Sequence, residues 1–181
     1  MPSFTTIVRY LPIITFAWMV LGAGMIFSSG VGRRDPRGIG IGLSFWALLF
    51  LQTRAIPPPP WVTGLGVAGL AASLVLFQWA ASSIRGRTFS YAGNDDLPQF
   101  VHSAGPYQFI RNPFYASYLL AEIATLAIWP SAWAALVVLG MIGYFQWLTR
   151  FEERKFARSP VATEYAVYKA RTGRLLPRLR S

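Results

Sequence analysis

Long blocks of apolar residues, separated by short polar segments, are the feature that most limits how this chain can fold. The blocks cover about residues 10–27, 38–56, 61–81, 114–129 and 132–148. A helix needs about 20 apolar residues to cross a bilayer, where no water can satisfy an open backbone. The sequence therefore predicts an all-α integral membrane protein with about five transmembrane helices, packed as a single membrane domain over residues 1–181.

The basic residues are distributed unevenly, and their distribution predicts a topology. The chain has 181 residues and a net charge of +10. If the charged C-terminal segment lies inside, five spans put the N-terminus outside and place every lysine and arginine except Arg9 and Arg54 inside. Such an excess is typical of cytoplasmic loops. We predict an N-out, C-in protein of a bacterial inner membrane, whose charge needs no nucleic-acid partner to explain it.

The composition also limits the chemistry of any site. There is no cysteine and only one histidine, which excludes thiolate nucleophiles, zinc–thiolate centres and multi-histidine metal sites. We therefore expect no metal cofactor. The pattern Gly64-Leu-Gly66-Val-Ala-Gly69 matches a dinucleotide-binding fingerprint, but it lies inside an apolar helix with no preceding strand. These glycines are interpreted as positions of close helix packing.

The segment Gly105-Pro-Tyr-Gln-Phe-Ile-Arg-Asn-Pro-Phe-Tyr115 places polar groups at the start of the predicted fourth span. Pro113 is suited to the first helical position. Arg111 and Asn112 therefore lie at a membrane boundary between two tyrosines, Tyr107 and Tyr115. The simplest interpretation is an interfacial anchor with an aromatic belt. The alternative is a binding site.

The C-terminal segment from residue 149 predicts a helical tail. Residues 150–158 continue the fifth helix out of the membrane, and Ser159-Pro160 is expected to begin a short helix that runs to about Arg171. The turn at Trp129-Pro130-Ser131 makes the fourth and fifth spans an antiparallel hairpin. At 1.5 Å per residue, Asn112 and Glu152 then lie at similar depth.

Polar side chains from three parts of the chain are consequently expected to meet on the cytoplasmic side, in elements 99–115 and 149–177. They are Tyr107, Arg111, Asn112 and Tyr115, then Glu152 and Glu153, then Tyr165, Tyr168, Arg171 and Arg174.

These residues carry a resemblance. Gly105–Tyr115, the pair Glu152-Glu153 and Glu164-Tyr165-Ala-Val-Tyr168-Lys-Ala-Arg171-Thr-Gly-Arg174-Leu-Leu-Pro177 resemble the isoprenylcysteine carboxyl methyltransferase family and its phospholipid methyltransferase relatives. The family pattern is Gly-Pro-Tyr-Arg-x-Val-Arg-His-Pro-x-Tyr, a paired Glu, then Tyr-x-x-Tyr-x-x-Arg and Leu-Ile-Pro. The match covers about the C-terminal half of the chain, with its three motifs in the family's order.

The resemblance implies a methyltransferase that binds S-adenosylmethionine (SAM) from the cytosol. Carried over to matched positions, it nominates a cofactor-binding set of Tyr107, Arg111, Asn112, Pro113, Tyr115, Glu152, Glu153 and Tyr165. It also implies a lipidic or small hydrophobic acceptor within the bilayer. Arg111 is a candidate to hold a carboxylate bidentately, and Arg171 is a candidate second arginine near the acceptor.

Methyl transfer suits the few chemical groups that this chain offers. The cofactor supplies the electrophile, so the protein mainly positions two reactants and excludes water. A carboxylate acceptor needs no general base, which favours carboxyl O-methylation over amine N-methylation. Asn112 stands where the family has histidine, so a role that needs an imidazole proton is unsupported. This departure suggests a divergent subgroup with its own substrate.

Glu122 is the candidate for acceptor choice. It lies within the predicted fourth span, where carboxylates are costly and functional by default. In one interpretation its side chain faces the acceptor cavity and recognises a cationic or hydroxylated head group. In the other it is protonated or bonded to a neighbouring helix. A different class of function is also open, namely a non-catalytic subunit or small transporter that retains the methyltransferase scaffold.

Overall fold

The helices of a computed structural model follow the apolar blocks closely. The structure describes residues 4–27, 36–51, 58–85 and 97–178. Its six α-helices are α1 (Phe4–Phe27), α2 (Pro36–Leu51), α3 (Pro60–Ser83), α4 (Pro113–Ile128), α5 (Ala132–Ala157) and α6 (Ala162–Arg171). A 3-10 turn, Gly105–Gln108, precedes α4. The described part of the chain is thus all-helical, and its single β-bridge lies outside any strand.

Among the described residues, two helices are long and apolar enough to cross a bilayer, namely α3 and α5. The apolar part of α1 (Ile7–Ala23) and all of α4 are shorter, and α2 has 16 residues. A full crossing needs about 20 residues. Five spans therefore remain a prediction, and residues 52–56 of the predicted second span lie outside the described residues.

Local sequence signals explain most of the helix boundaries. Prolines occupy the first turns of α3 and α4, where a missing N–H costs nothing. The Ser131 hydroxyl accepts a hydrogen bond from the Ala134 amide at 3.0 Å and caps α5. As predicted, α5 continues into its charged segment, to Ala157. The prediction that Ser159-Pro160 begins α6 was wrong, because the Ser159 hydroxyl bonds back to the Phe156 carbonyl and α6 begins two residues after the proline.

Small residues allow α3 and α4 to pack closely, as predicted for the glycine pattern. A Cβ on Gly66 would lie 2.6 Å from Ile128 Cγ1 and 2.9 Å from the Ala124 carbonyl oxygen. A Cβ on Gly69 would lie 2.9 Å from the Ala124 Cβ. Gly64 faces open space, with no other atom within 4 Å. Two of the three glycines therefore serve helix packing.

The core between the helices supports the end of α4 that carries the polar residues. Phe77 of α3 is fully buried and meets Phe114 edge to face, with ring centroids 5.3 Å apart. Tyr115 stacks on Phe145 of α5 at 5.5 Å. Packed aromatic rings hold their side chains in single orientations. The start of α4 is therefore fixed against both α3 and α5.

We expect Gly66→Ala to destabilise the protein by about 1–3 kcal/mol, because the added methyl group overpacks the α3–α4 contact. The matched control is Gly64→Ala, whose methyl group meets nothing and which should stabilise α3 by roughly 0.5–1 kcal/mol. Unfolding of the purified protein in detergent measures both. Equal effects of the two substitutions would contradict the packing interpretation.

Candidate functional site

The C-terminal tail returns to the segment before α4 and pairs with it through backbone hydrogen bonds. The Arg111 amide donates to the Gly173 carbonyl at 2.8 Å, and the Gly173 amide donates to the Phe109 carbonyl at 3.0 Å. The Asn112 amide donates to the Arg174 carbonyl at 3.2 Å. These bonds place the residues that follow α6 directly beside the start of α4.

Two glycines make this pairing possible. Gly105 has a φ of +59°, a conformation that other residues adopt rarely. A Cβ there would also approach the Cβ of Ser83 to 2.7 Å. At Gly173, a Cβ would collide with the carbonyl oxygen of Leu176, at 1.7 Å. The turn before α4 and the return of the tail therefore both depend on the absence of a side chain.

Arg111 joins the start of α4 to both α5 and the tail. Its guanidinium donates to Glu153 Oε1 from Nη2 at 2.9 Å and from Nε at 3.2 Å. Its Nη1 donates to the backbone carbonyls of Thr172 and Lys169. The side chain is only 8% exposed. Its donors are thus directed at protein groups on two other elements.

Glu153 is the centre of the cluster, because three cations converge on its carboxylate. Besides Arg111, Arg174 Nη2 lies 2.9 Å and Lys169 Nζ 3.0 Å from Oε2. Burial favours the neutral acid, but hydrogen bonds from Arg174, Lys169 and Arg111 outweigh burial and lower the pKa of Glu153 to about 2. The carboxylate is therefore ionised, and the cluster retains an excess of positive charge. Hydrogen bonding to Glu153 also raises the pKa of Arg174.

Glu152 and Asn112 have different partners from Glu153. The Tyr115 hydroxyl donates to Glu152 Oε1 at 2.9 Å. The Asn112 side chain donates from Nδ2 to the Arg174 carbonyl at 3.1 Å. Both Glu152 and Asn112 are half-buried. Two adjacent glutamates of one helix thus differ in environment, since Glu153 is held by cations and Glu152 by a tyrosine hydroxyl.

Tyrosines pack α6 onto the rest of the site. Tyr165 stacks on Phe156 with ring centroids 4.2 Å apart. The Tyr168 hydroxyl donates to the backbone carbonyl of Tyr107 at 2.8 Å. All three tyrosines are buried, and burial raises the pKa of Tyr168 to about 12 and raises those of Tyr107 and Tyr165. They are therefore neutral near pH 7.

Three further predicted residues lie apart from this cluster. Pro113 is buried at the first turn of α4. Arg171 is exposed at the end of α6, whereas Arg174 makes the ion pair with Glu153. Glu122 is fully buried in the middle of α4, where the Ser44 hydroxyl of α2 donates to its Oε1 at 2.7 Å. Within the described residues, Glu122 Oε2 has no hydrogen-bond partner.

Sequence reasoning missed two residues of these contacts, Lys169 and Ser44. Lys169 follows Tyr165 by four residues, so helical spacing places both on one face of α6. That spacing could have indicated that Lys169 faces the cluster. Ser44 had no such signal, because its pairing with Glu122 depends on how two distant helices pack. Among the described residues, no group of three or more His, Asp or Glu side chains could hold a metal ion.

We expect Glu153→Gln to lower the free energy of unfolding by about 2 kcal/mol at pH 7, because three cations would then face one another. The ordinary pKa is 4.5 and the folded one about 2, so this stabilisation is complete above about pH 4.5 and is lost as the pH falls towards 2. The difference in free energy of unfolding between the variant and the wild type should therefore become smaller as the pH falls from about 4.5 to about 2. Glu164→Gln, an acid in the first turn of α6, is the control and should change stability by less than about 1 kcal/mol. A pH-independent difference for Glu153→Gln would contradict the ionic cluster.

The comparison with known proteins agrees with the resemblance seen in the motifs. The family model described as phospholipid methyltransferase matches residues 61–159, from the start of α3 to just beyond α5. No curated protein matches the chain at a significant level. With two membrane-capable helices in the same region, the protein is an integral membrane protein. Because the match covers more than half of the chain, the protein belongs to the phospholipid methyltransferase family.

Proposed function

We propose that the protein is a SAM-dependent methyltransferase that methylates a lipidic or small hydrophobic acceptor at the cytoplasmic face of the membrane. The observation that carries this proposal is the meeting of three segments at Glu153, since two of them lie within the family match. The proposal includes a single domain over residues 1–181, in a bacterial inner membrane with the N-terminus outside.

The charges of the cluster fit those of the cofactor. SAM carries a carboxylate, an amino group and a sulfonium, so it needs both cations and an anion nearby. Lys169 and Arg174 are 49% and 28% exposed, and the single Glu153 carboxylate leaves the three cations with an excess of positive charge. Glu152 offers a half-buried carboxylate, and Tyr115 beside it offers an aromatic face. We assign the cofactor's carboxylate to the cations and its positive groups to Glu152.

Arg111 and Glu153 act mainly as positioning residues in this proposal. Their donor and acceptor atoms are bonded to each other and to the tail. They therefore hold Lys169 and Arg174 in place, and direct contact of Arg111 or Glu153 with the cofactor stays a prediction. Asn112 contributes in the same way, because its amide holds the Arg174 carbonyl. Tyr107 and Tyr165 close the tail side and exclude water.

Carboxyl O-methylation is the reaction that the charge of the cluster favours. When bound, SAM supplies an electrophilic methyl group, and a carboxylate acceptor needs no residue to take a proton. Excess cations attract a carboxylate and repel a protonated amine. Asn112 in place of histidine also removes a candidate proton acceptor. Phospholipid-type amine N-methylation is the second candidate, because the matching family is described as phospholipid methyltransferase.

The test is transfer of a radiolabelled methyl group from SAM to the lipids of membranes that contain the protein. We expect a labelled product that loses its label in mild base, as a methyl ester does. A base-stable product would overturn O-methylation in favour of N-methylation. No product, together with no S-adenosylhomocysteine binding at high micromolar concentration, would favour the non-catalytic alternative.

Glu152→Gln sharpens this test, and Glu164→Gln is its matched control. Loss of one charged hydrogen bond to the ligand should weaken S-adenosylhomocysteine binding by roughly 10- to 100-fold, or about 1.5–3 kcal/mol. Glu164 is exposed at the start of α6, so its substitution should leave binding unchanged. Equal binding by the two variants would remove Glu152 from the proposed cofactor site.

Glu122 is retained in the proposal as the residue that selects the acceptor. Its Oε2, which has no hydrogen-bond partner among the described residues, and its position within α4 motivate this role, although its bond to Ser44 also joins α2 to α4. We expect Glu122→Gln to raise the KM for the acceptor by about tenfold while S-adenosylhomocysteine affinity is unchanged. Ser44→Ala is the comparison, because it removes the helix contact alone. A loss of stability in both variants, with kinetics unchanged, would contradict the acceptor role.

A further inference from the structure

The face of α5 opposite Glu153 carries a stripe of residues that the proposed function does not use. Trp147, Phe151, Arg154 and Arg158 follow one another at intervals of three or four residues, and Lys155 lies four residues after Phe151, so all five share one side of the helix. At about 100° per residue, Glu153 lies roughly 200° around the axis from Phe151. The stripe and the ionic cluster therefore face in different directions.

The stripe changes in character along the helix, from aromatic to basic. Tyr144 stacks on Trp147 at 5.9 Å, and Trp147 stacks on Phe151 at 6.3 Å. Trp147 is 49% exposed, as expected for a ring that faces lipid at the membrane boundary. The cations begin one turn beyond Phe151. The stripe therefore presents an apolar surface to acyl chains and positive charge at the level of lipid head groups.

A groove lies at the basic end of this stripe. It has a volume of about 310 Å³ and is lined by Leu97, Phe151, Arg154, Lys155 and Arg158. Two arginines, Arg154 and Arg158, lie in its lining together with Lys155. Cations near the end of a helix also complement its dipole, but that accounts for the charges alone. It does not account for the two apolar residues beside them, Leu97 and Phe151.

We propose that this groove binds the phosphodiester head group of an anionic membrane lipid, whose acyl chains lie along Trp147 and Phe151. Arginine donors match phosphate oxygens in geometry and charge. The direction of the stripe separates this lipid from the acceptor assigned to the cluster at Glu153. The proposal does not depend on methyl transfer, and a protein without activity would still bind the lipid.

The test measures lipid binding to the purified full-length chain in a neutral detergent, by native mass spectrometry. Phosphatidylglycerol is the probe, phosphatidylcholine is the zwitterionic comparison and inorganic phosphate is the soluble competitor. We expect phosphatidylglycerol to bind more tightly than phosphatidylcholine. Arg154→Gln and Arg158→Gln should each weaken it about fivefold, and the double variant roughly 25-fold.

Arg85→Gln is the matched control. Arg85 is also an exposed arginine at a helix end, but it lies outside the groove lining, so its substitution should leave lipid binding within about twofold. Arg154→Lys keeps the charge but loses the planar donors, so it should weaken binding less than Arg154→Gln does, which separates loss of charge from loss of folding.

Three outcomes would overturn the proposal. Equal weakening by Arg85→Gln would mean that net charge alone attracts the lipid. Equal affinity for the two lipids would mean that the groove does not select an anionic head group. Displacement of phosphatidylglycerol by an equal concentration of inorganic phosphate would mean that the site takes soluble phosphate.

Discussion

One carboxylate connects the parts of this protein that form the candidate site. Glu153 extends from the charged end of α5 and receives Arg111 from the start of α4 and Lys169 and Arg174 from the tail. Apolar packing mainly holds the helices in place, whereas backbone hydrogen bonding mainly holds the tail. The ion pairs at Glu153 join the packed helices to the tail. Glu153 is the anion that holds Lys169 and Arg174 beside the helices.

The cluster also explains why the two adjacent glutamates are not equivalent. A carboxylate that three cations already contact gains little from a further positive ligand, because its lone pairs are occupied. Glu152 accepts a hydrogen bond from the Tyr115 hydroxyl, is half-buried and does not take part in the ion pairs that hold Glu153. In the proposed enzyme, one glutamate therefore shapes the pocket and the other contacts the cofactor. A paired-glutamate motif thus combines a structural and a binding role on consecutive residues.

The sequence predicted α1 to α5 well, because apolar block length and the start signals at Pro60, Pro113 and Ser131 are local properties, whereas the Ser159-Pro160 signal placed the start of α6 too early. It also predicted that residues around Arg111, Glu152 and Tyr165 would approach one another, since the hairpin at Pro130 fixes the depth of both helix ends. It did not predict which arginine would reach Glu153. α6 ends at Arg171, and the backbone pairing at Gly173 then determines the direction of Arg174. The sequence did not predict the hydrogen bond between Ser44 and Glu122 either, because it joins residues 78 apart in the chain.

The arrangement of α5 relates the site to the membrane. Its apolar residues, stacked aromatic rings, acidic pair and basic turn follow one another within a single continuous helix. α5 contains no proline, the residue most often found at sharp helix kinks, so its apolar end and its charged end are held in a defined relation. In the proposed enzyme, the depth at which the aromatic stripe lies in the membrane interface sets the height of Glu152 and Glu153 above the bilayer. A pocket held in this way stays at a constant distance from the lipid surface, as the proposed transfer of a methyl group from a water-soluble donor to a membrane-bound acceptor requires.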